Sequence, residues 1–225
     1  MSLIETIAIF LLHYMMNFSE LAGNINYLAS NQFLKAFIPM PQLVGGLRPT
    51  EVILPANYDP SLPAPLLLSL HGYWCDKYFI ENFFNFADEA SARGYIYVIP
   101  NGIRNSIGDR FWAATDACCD FIEMGWDDSQ YLISLVDEVS LKYSVDQARI
   151  YIAGHSNGGF MAHRMACDHA SRIAGIVSVA GMNFKDISLC KPSEPVNILQ
   201  IHGTADTTIP YNGGLVLGVE IPSVL

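Results

Sequence analysis

Five apolar runs constrain this chain most. "PLLLSLH" (65–71), "YIYVIP" (95–100), "RIYIAG" (149–154), "IAGIVSVAG" (173–181) and "VNILQIHG" (196–203) are each of strand length, with few polar breaks. A strand with one wet face alternates apolar and polar residues, so near-continuous runs fit strands buried on both faces. Helix-period segments separate them. Asp76 caps one, in which Phe79, Ile80, Phe83, Phe84 and Ala87 recur at three and four before Gly94 ends it. Asp127-Asp128 opens another, with Tyr131, Leu132, Leu135, Val136 and Val139 on one face, and 157–170 reads as a third. "TEVILPANY" (50–58) adds a strand ending at Pro55. Strand–helix alternation of this kind predicts an α/β fold, a mostly parallel sheet with helices on both faces.

The regular pattern begins near Leu43, which makes 1–42 an appendage and 43–225 a single domain. The appendage opens on "MSLIETIAIFLLHYMM", apolar but interrupted by Glu5 and His13. That is short for a membrane span, which needs about 20 apolar residues. It also lacks a basic n-region and a small-residue cleavage site. A degenerate signal peptide and a docking helix both remain open. With 51% hydrophobic and 15% charged residues the chain is expected to pack as a globule. Its net charge of −10 argues against nucleic acid or an anionic membrane surface as partner. There is no GxGxxG after a strand, no P-loop and no HExxH, so no cofactor is expected. Five cysteines without a CxxC pair argue against a structural metal site and leave one thiol over; their spacing does not choose a pairing. The adjacent Cys118 and Cys119 lean towards an oxidising compartment, with buried free thiols as the alternative. From Pro100 to Asp127 no periodicity is visible, and the aromatics and cysteines there favour an ordered loop.

"YIAGHSNGGF" (151–160) carries the chemistry. A strand runs into Gly154-His155-Ser156-Asn157-Gly158 and a helix follows, the context in which a Gly-x-Ser-x-Gly string becomes a nucleophile elbow. Gly154 and Gly158 lack the Cβ atoms that would collide in so sharp a turn. Ser156 Oγ is then exposed at the sheet edge, ahead of a helix N-terminus that favours developing negative charge. Acyl transfer needs an oxyanion hole. The expected donors are the backbone N–H of Asn157 and that of Tyr73, in the loop after the "LLLSLHG" strand. His71, at the end of that strand, reads as a structural imidazole. Asp206, beyond the last strand, fits the triad acid, although "TADTT" is also good turn chemistry. Tyr73, Trp74, Trp112 and Tyr211 offer an aromatic surface for a flat acyl group; Phe111 and Trp112 fit equally well as anchors of the long loop.

Together "LHGYWC", "IPNG", "RFWAATDACCDF", "WDD", "GHSNGG" and "HGTADTTIPYNGG" resemble the polyhydroxybutyrate depolymerase and feruloyl esterase family of α/β-hydrolases, over most of 45–225. The resemblance implies serine-esterase chemistry on polyesters or on acyl and phenolic esters of plant polysaccharides. It implies Ser156 as nucleophile, Asp206 as triad acid, and Arg110, Phe111 and Trp112 walling the substrate cleft. It also implies a secreted or periplasmic setting and disulfides among the cysteines.

One slot is empty. The order in this fold is Ser, acid, His, yet His13, His71, His155, His163, His169 and His202 all precede Asp206. The chain therefore reads as lacking the C-terminal strand and histidine loop of the fold, and Ser156 as a nucleophile without its base. His202 is the least unsuitable substitute. Competing expectations are a serine peptidase of the same fold and a non-catalytic relative that binds esters or carbohydrate.

Overall fold

The computed structural model describes residues 43–120, 124–216 and 218–224, all within the unit Pro41–Leu225. The appendage expected over 1–42 lies outside the described residues. The strands are β1 (Leu43–Val44), β2 (Thr50–Ile53), β3 (Ala64–Leu70), β4 (Ile96–Val98), β5 (Ile103–Arg104), β6 (Arg110–Phe111), β7 (Val145–His155), β8 (Gly175–Val179), β9 (Asn197–Ile201), β10 (Gly214–Val216) and β11 (Val219–Ile221). The helices are α1 (Lys77–Phe84), α2 (Phe86–Ala92), α3 (Asp128–Lys142) and α4 (Asn157–Asp168). Among the described residues the main sheet has seven strands in the order β1-β2-β4-β3-β7-β8-β9. The β4–β3, β3–β7, β7–β8 and β8–β9 pairs are parallel, whereas β1–β2 and β2–β4 are antiparallel.

The pleat of β3 shows why its apolar run is continuous. Leu66, Leu68 and Leu70 enter the larger core with Leu132, Val136 and Val139 of α3 and Phe160, Met161 and Met165 of α4. Leu67 turns to the other face, where Ile80 and Ala90 of α1 and α2 pack with Tyr97. Helices thus cover both faces, and every leucine of β3 has apolar partners.

The helix expected from Asp76 to Gly94 is two. Asp76 Oδ1 accepts from the Tyr78 and Phe79 N–H groups at its start. Asn85 then adopts a left-handed conformation (φ 53°, ψ 46°), which Asn tolerates better than most residues. Glu81 Oε1 accepts from the Ala87 N–H and helps open α2. Of the apolar stripe on α1 only Ile80 is fully buried; Phe79 and Phe83 stay half exposed.

Two disulfides form, Cys118–Cys119 and Cys167–Cys190, leaving Cys75 as the free thiol. Cys167–Cys190 ties the end of α4 to a loop 23 residues on, a closure that contributes about 3 kcal/mol on the chain-entropy account.

Candidate active site

β7 ends at His155 and α4 starts at Asn157, so Ser156 alone turns the chain, with φ 53° and ψ −121°. A residue with a Cβ is strained there by about 1–3 kcal/mol. The turn is held on both sides: the Ser156 N–H donates to the Val179 carbonyl (2.8 Å), and the Ser156 carbonyl accepts from Gly159 N–H (2.7 Å) and Phe160 N–H (3.1 Å). A Cβ on Gly154 would strike the Gly158 carbonyl, and one on Gly158 would strike Leu70 O at the end of β3. The two glycines let β7, α4 and β3 converge beneath the serine.

Asn157 is fully buried, and its side chain clamps the long loop. Its Oδ1 accepts from the Trp112 N–H (2.7 Å) and its Nδ2 donates to the Trp112 carbonyl (2.9 Å). As the first residue of α4, its own N–H has no intrahelical acceptor. The amide clamp leaves no mark in the sequence, since an Asn beside such a turn carries no sign of its distant partner. Asp128 extends the clamp: its Oδ2 accepts from the Ala113 N–H (2.8 Å), while Oδ1 pairs with Arg48.

His71 is buried and fully bonded. Its Nδ1 donates to the Gly72 carbonyl (2.8 Å), its Nε2 accepts from the Gly102 N–H (2.8 Å), and its ring lies against Trp112. Burial pulls its pKa down to about 4, so it is a neutral loop anchor.

Phe111 and Trp112 correct one expectation. Both are fully buried, and the Trp112 Nε1–H donates to the His71 carbonyl (3.0 Å). They underlie the site and do not wall it. Arg110 donates to the Gly102 carbonyl (3.0 Å), bracing the β5–β6 hairpin, and Tyr211 lies against the His202 ring. Neither lines the pocket beside Ser156. A pocket of about 560 Å³ opens there, walled by Tyr73, Trp74, the Cys118–Cys119 pair, Ile209, Leu215 and Ile221. Tyr73 and Trp74 were expected. The cysteine pair and the β10–β11 residues were not, because nothing local in the sequence directs them to Ser156.

Asp206 lies in the loop after β9. Its Oδ1 accepts from the Thr208 (2.8 Å) and Ile209 (3.0 Å) N–H groups, which shapes the turn. Its Oδ2 stands 3.7 Å from His202 Nε2. His202 is occupied elsewhere, with Nε2 against the Ile209 carbonyl (2.7 Å). His163 pairs with Gln200 and His169 with Ser129. His155 Nδ1 is buried without a partner, and its ring packs on Phe83. Among the described residues no histidine nitrogen hydrogen-bonds the Ser156 hydroxyl, and no cluster suits a metal ion.

A family model described as phospholipase/carboxylesterase matches residues 117–217. Feruloyl esterase B of Piromyces equi is 32% identical over 75% of this chain, and a bifunctional acetylxylan esterase/xylanase of Neocallimastix patriciarum is 29% identical over 74%. The chain has the α/β-hydrolase fold and is similar to feruloyl esterases. The matches span 31% and 22% of those two relatives, so the chain covers a minor part of their length. A solved thermostable esterase shares the fold at a TM-score of 0.58 and 16% identity, covering 77% of this chain and 48% of that one.

Proposed function

We propose that this α/β-hydrolase cleaves carboxylic esters through an acyl-serine on Ser156. Ser156 Oγ attacks the ester carbonyl carbon, and the oxyanion is received by the N–H groups of Asn157 and Tyr73. The alcohol leaves, and water releases the acid from Ser156. Asp206 Oδ2 is the acceptor available to orient an imidazole donor. The acyl group lies along the apolar wall of Trp74, Ile209, Leu215 and Ile221. The observation that carries this reading is Ser156 in its strained turn at the head of α4, on the wall of that pocket. Feruloyl and acetylxylan esters are the substrates that the relatives' names suggest. The Cys167–Cys190 bridge supports an oxidising, extracellular setting. Among the described residues no helix is long and apolar enough to cross a membrane.

The test combines a fluorophosphonate probe with hydrolysis of 4-nitrophenyl acetate and methyl ferulate. Labelling at Ser156 is expected, with slow turnover that Ser156→Ala removes. Because no imidazole of the described residues meets Ser156 Oγ, free imidazole added to the buffer should raise the Ser156-dependent rate several-fold. Asp206→Ala should remove that rise. Turnover indifferent to Ser156→Ala sinks the reading.

A further inference from the structure

The two disulfides differ in what they can do for the chain. Cys167 and Cys190 are 23 residues apart, whereas Cys118 and Cys119 are neighbours and close almost no loop. The restraint that a bridge places on the unfolded chain grows with loop length, so Cys118–Cys119 adds little stability that way. Its position suggests another use. Both residues wall the pocket that holds Ser156, and both otherwise belong to the larger core. The Asn157 amide, which clamps Trp112, also donates to Cys118 Sγ (3.6 Å). The backbone at this wall is held without help from sulfur. The Thr115 N–H donates to the Cys118 carbonyl (2.8 Å), and the Cys118 N–H donates to the Thr115 carbonyl (3.0 Å).

We propose that the Cys118–Cys119 disulfide sets the size of acyl group the pocket accepts, and that its reduction by a dithiol narrows the pocket. The proposal deepens the esterase reading of Ser156 and rests on it. Joined, the two sulfurs present one compact apolar face. A thiolate of the dithiol attacks one sulfur and breaks the S–S bond through a mixed disulfide. The second thiol of the reductant then displaces that cysteine and closes the reductant's own disulfide. Two electrons and two protons end on Cys118 and Cys119 as free thiols. Two sulfurs no longer bonded must move apart to van der Waals distance. The core behind them is close-packed, and Asn157 stands against Cys118 Sγ. The pocket is the open volume beside them, so a released thiol turns into it. A larger acyl group loses more by that intrusion than an acetyl group does.

The test compares kcat/KM for 4-nitrophenyl butyrate and 4-nitrophenyl acetate before and after dithiothreitol. Alkylation and mass spectrometry report which thiols are free. Cys75 alone should alkylate before reduction, and Cys118 and Cys119 should join it afterwards. The butyrate-to-acetate ratio should fall at least fivefold on reduction. Cys118→Ala/Cys119→Ala removes both sulfurs, so its ratio should lie above that of the parent and ignore the reductant. Urea unfolding confirms that this variant is folded, and the reduced parent gives its reading without any substitution. A response that survives in the alanine pair belongs to Cys167–Cys190 and overturns the proposal. An unchanged ratio in the reduced parent overturns it too, as does a pair that alkylates before reduction or stays closed in dithiothreitol. Failure of the esterase reading looks different: turnover is then indifferent to Ser156→Ala. The wall is in that case read by methyl ferulate binding to the Ser156→Ala chain, followed by tryptophan quenching. Reduction should weaken that binding at least fivefold, and an unchanged affinity sinks the proposal on its own.

Discussion

The two sides of the candidate site are built to different standards. On the nucleophile side, His71, Trp112, Asn157 and Asp128 are all fully buried and bonded to one another's segments, so the Ser156 turn sits on a closed polar network. On the acid side, Asp206 hangs from β9, whose Ile198, Leu199 and Ile201 are 49–55% exposed at the open end of the sheet. The opposite edge is secured: the Gly45 N–H donates to Glu138 Oε2 and the Lys142 ammonium to the Leu43 carbonyl. A turn strained by 1–3 kcal/mol persists only where its surroundings over-determine it. An aspartate shaped by its own Asx turn needs less support. Rigidity is concentrated where the backbone is strained.

The largest expected effect breaks the nucleophile side. Trp112→Ala removes a fully buried indole and its bond to the His71 carbonyl, and should cost about 3–5 kcal/mol. Urea unfolding measures the loss. Fluorophosphonate labelling of Ser156 under native conditions should slow as well, because the Asn157 side chain loses the firm segment it holds. Full labelling in a destabilised variant would mean that the turn keeps its shape without the clamp.

This contrast was only half legible in the sequence. The sheet was read well, since buried parallel strands leave long apolar runs, and β3, β4, β7, β8 and β9 fall where those runs lie. The elbow was legible because the Gly-x-Ser-x-Gly string is itself local: a Cβ on Gly154 would meet Gly158 four residues on, although the contact that demands Gly158 comes from Leu70 at the end of β3. The break at Asn85 was hidden: apolar spacing runs through it, and a single Asn is a weak stop signal. The place of Trp112 was hidden for a different reason. An aromatic residue in an aperiodic loop suits a cleft and a core equally, and only a partner 45 residues away in the chain, Asn157, decides between them. The exposure of β9 does not show in its own residues, because its apolar pattern matches that of strands covered on both faces.

Acid should act through the same clamp, somewhat less strongly. His71 titrates at about 4 when folded, against 6.5 for an unburied imidazole, because burial disfavours its charged form. Between those values the unfolded chain binds a proton that the folded chain refuses, so stability falls as pH drops from about 6.5 to 4. The loss is about 3 kcal/mol for His71 alone. His155 and His163 are lowered by burial too and add to it in the same direction. Urea midpoints at pH 7.5, 6 and 4.5 should trace this limb, and His71→Gln should flatten it even if its overall stability is lower. An unchanged slope in that variant would show that His71 is not the group acid unseats.

The smallest expected effect sharpens the comparison from the acid side. Leu199 lies on β9 with 55% of its surface in water, so Leu199→Thr removes little buried area and keeps a residue suited to a strand. It should change stability by less than about 0.5 kcal/mol. Leu68→Ala, on the fully covered β3, should cost about 2–5 kcal/mol. The pair of variants, measured by urea unfolding of the same 225-residue chain, reads how much of the sheet is covered at each place. If Leu199→Thr costs 2 kcal/mol or more, β9 is covered in solution, and the Asp206 loop is held nearly as firmly as the Ser156 turn. If the cost is small, Asp206 owes its position to the turn bonds from Thr208 and Ile209, and the support of the site is one-sided.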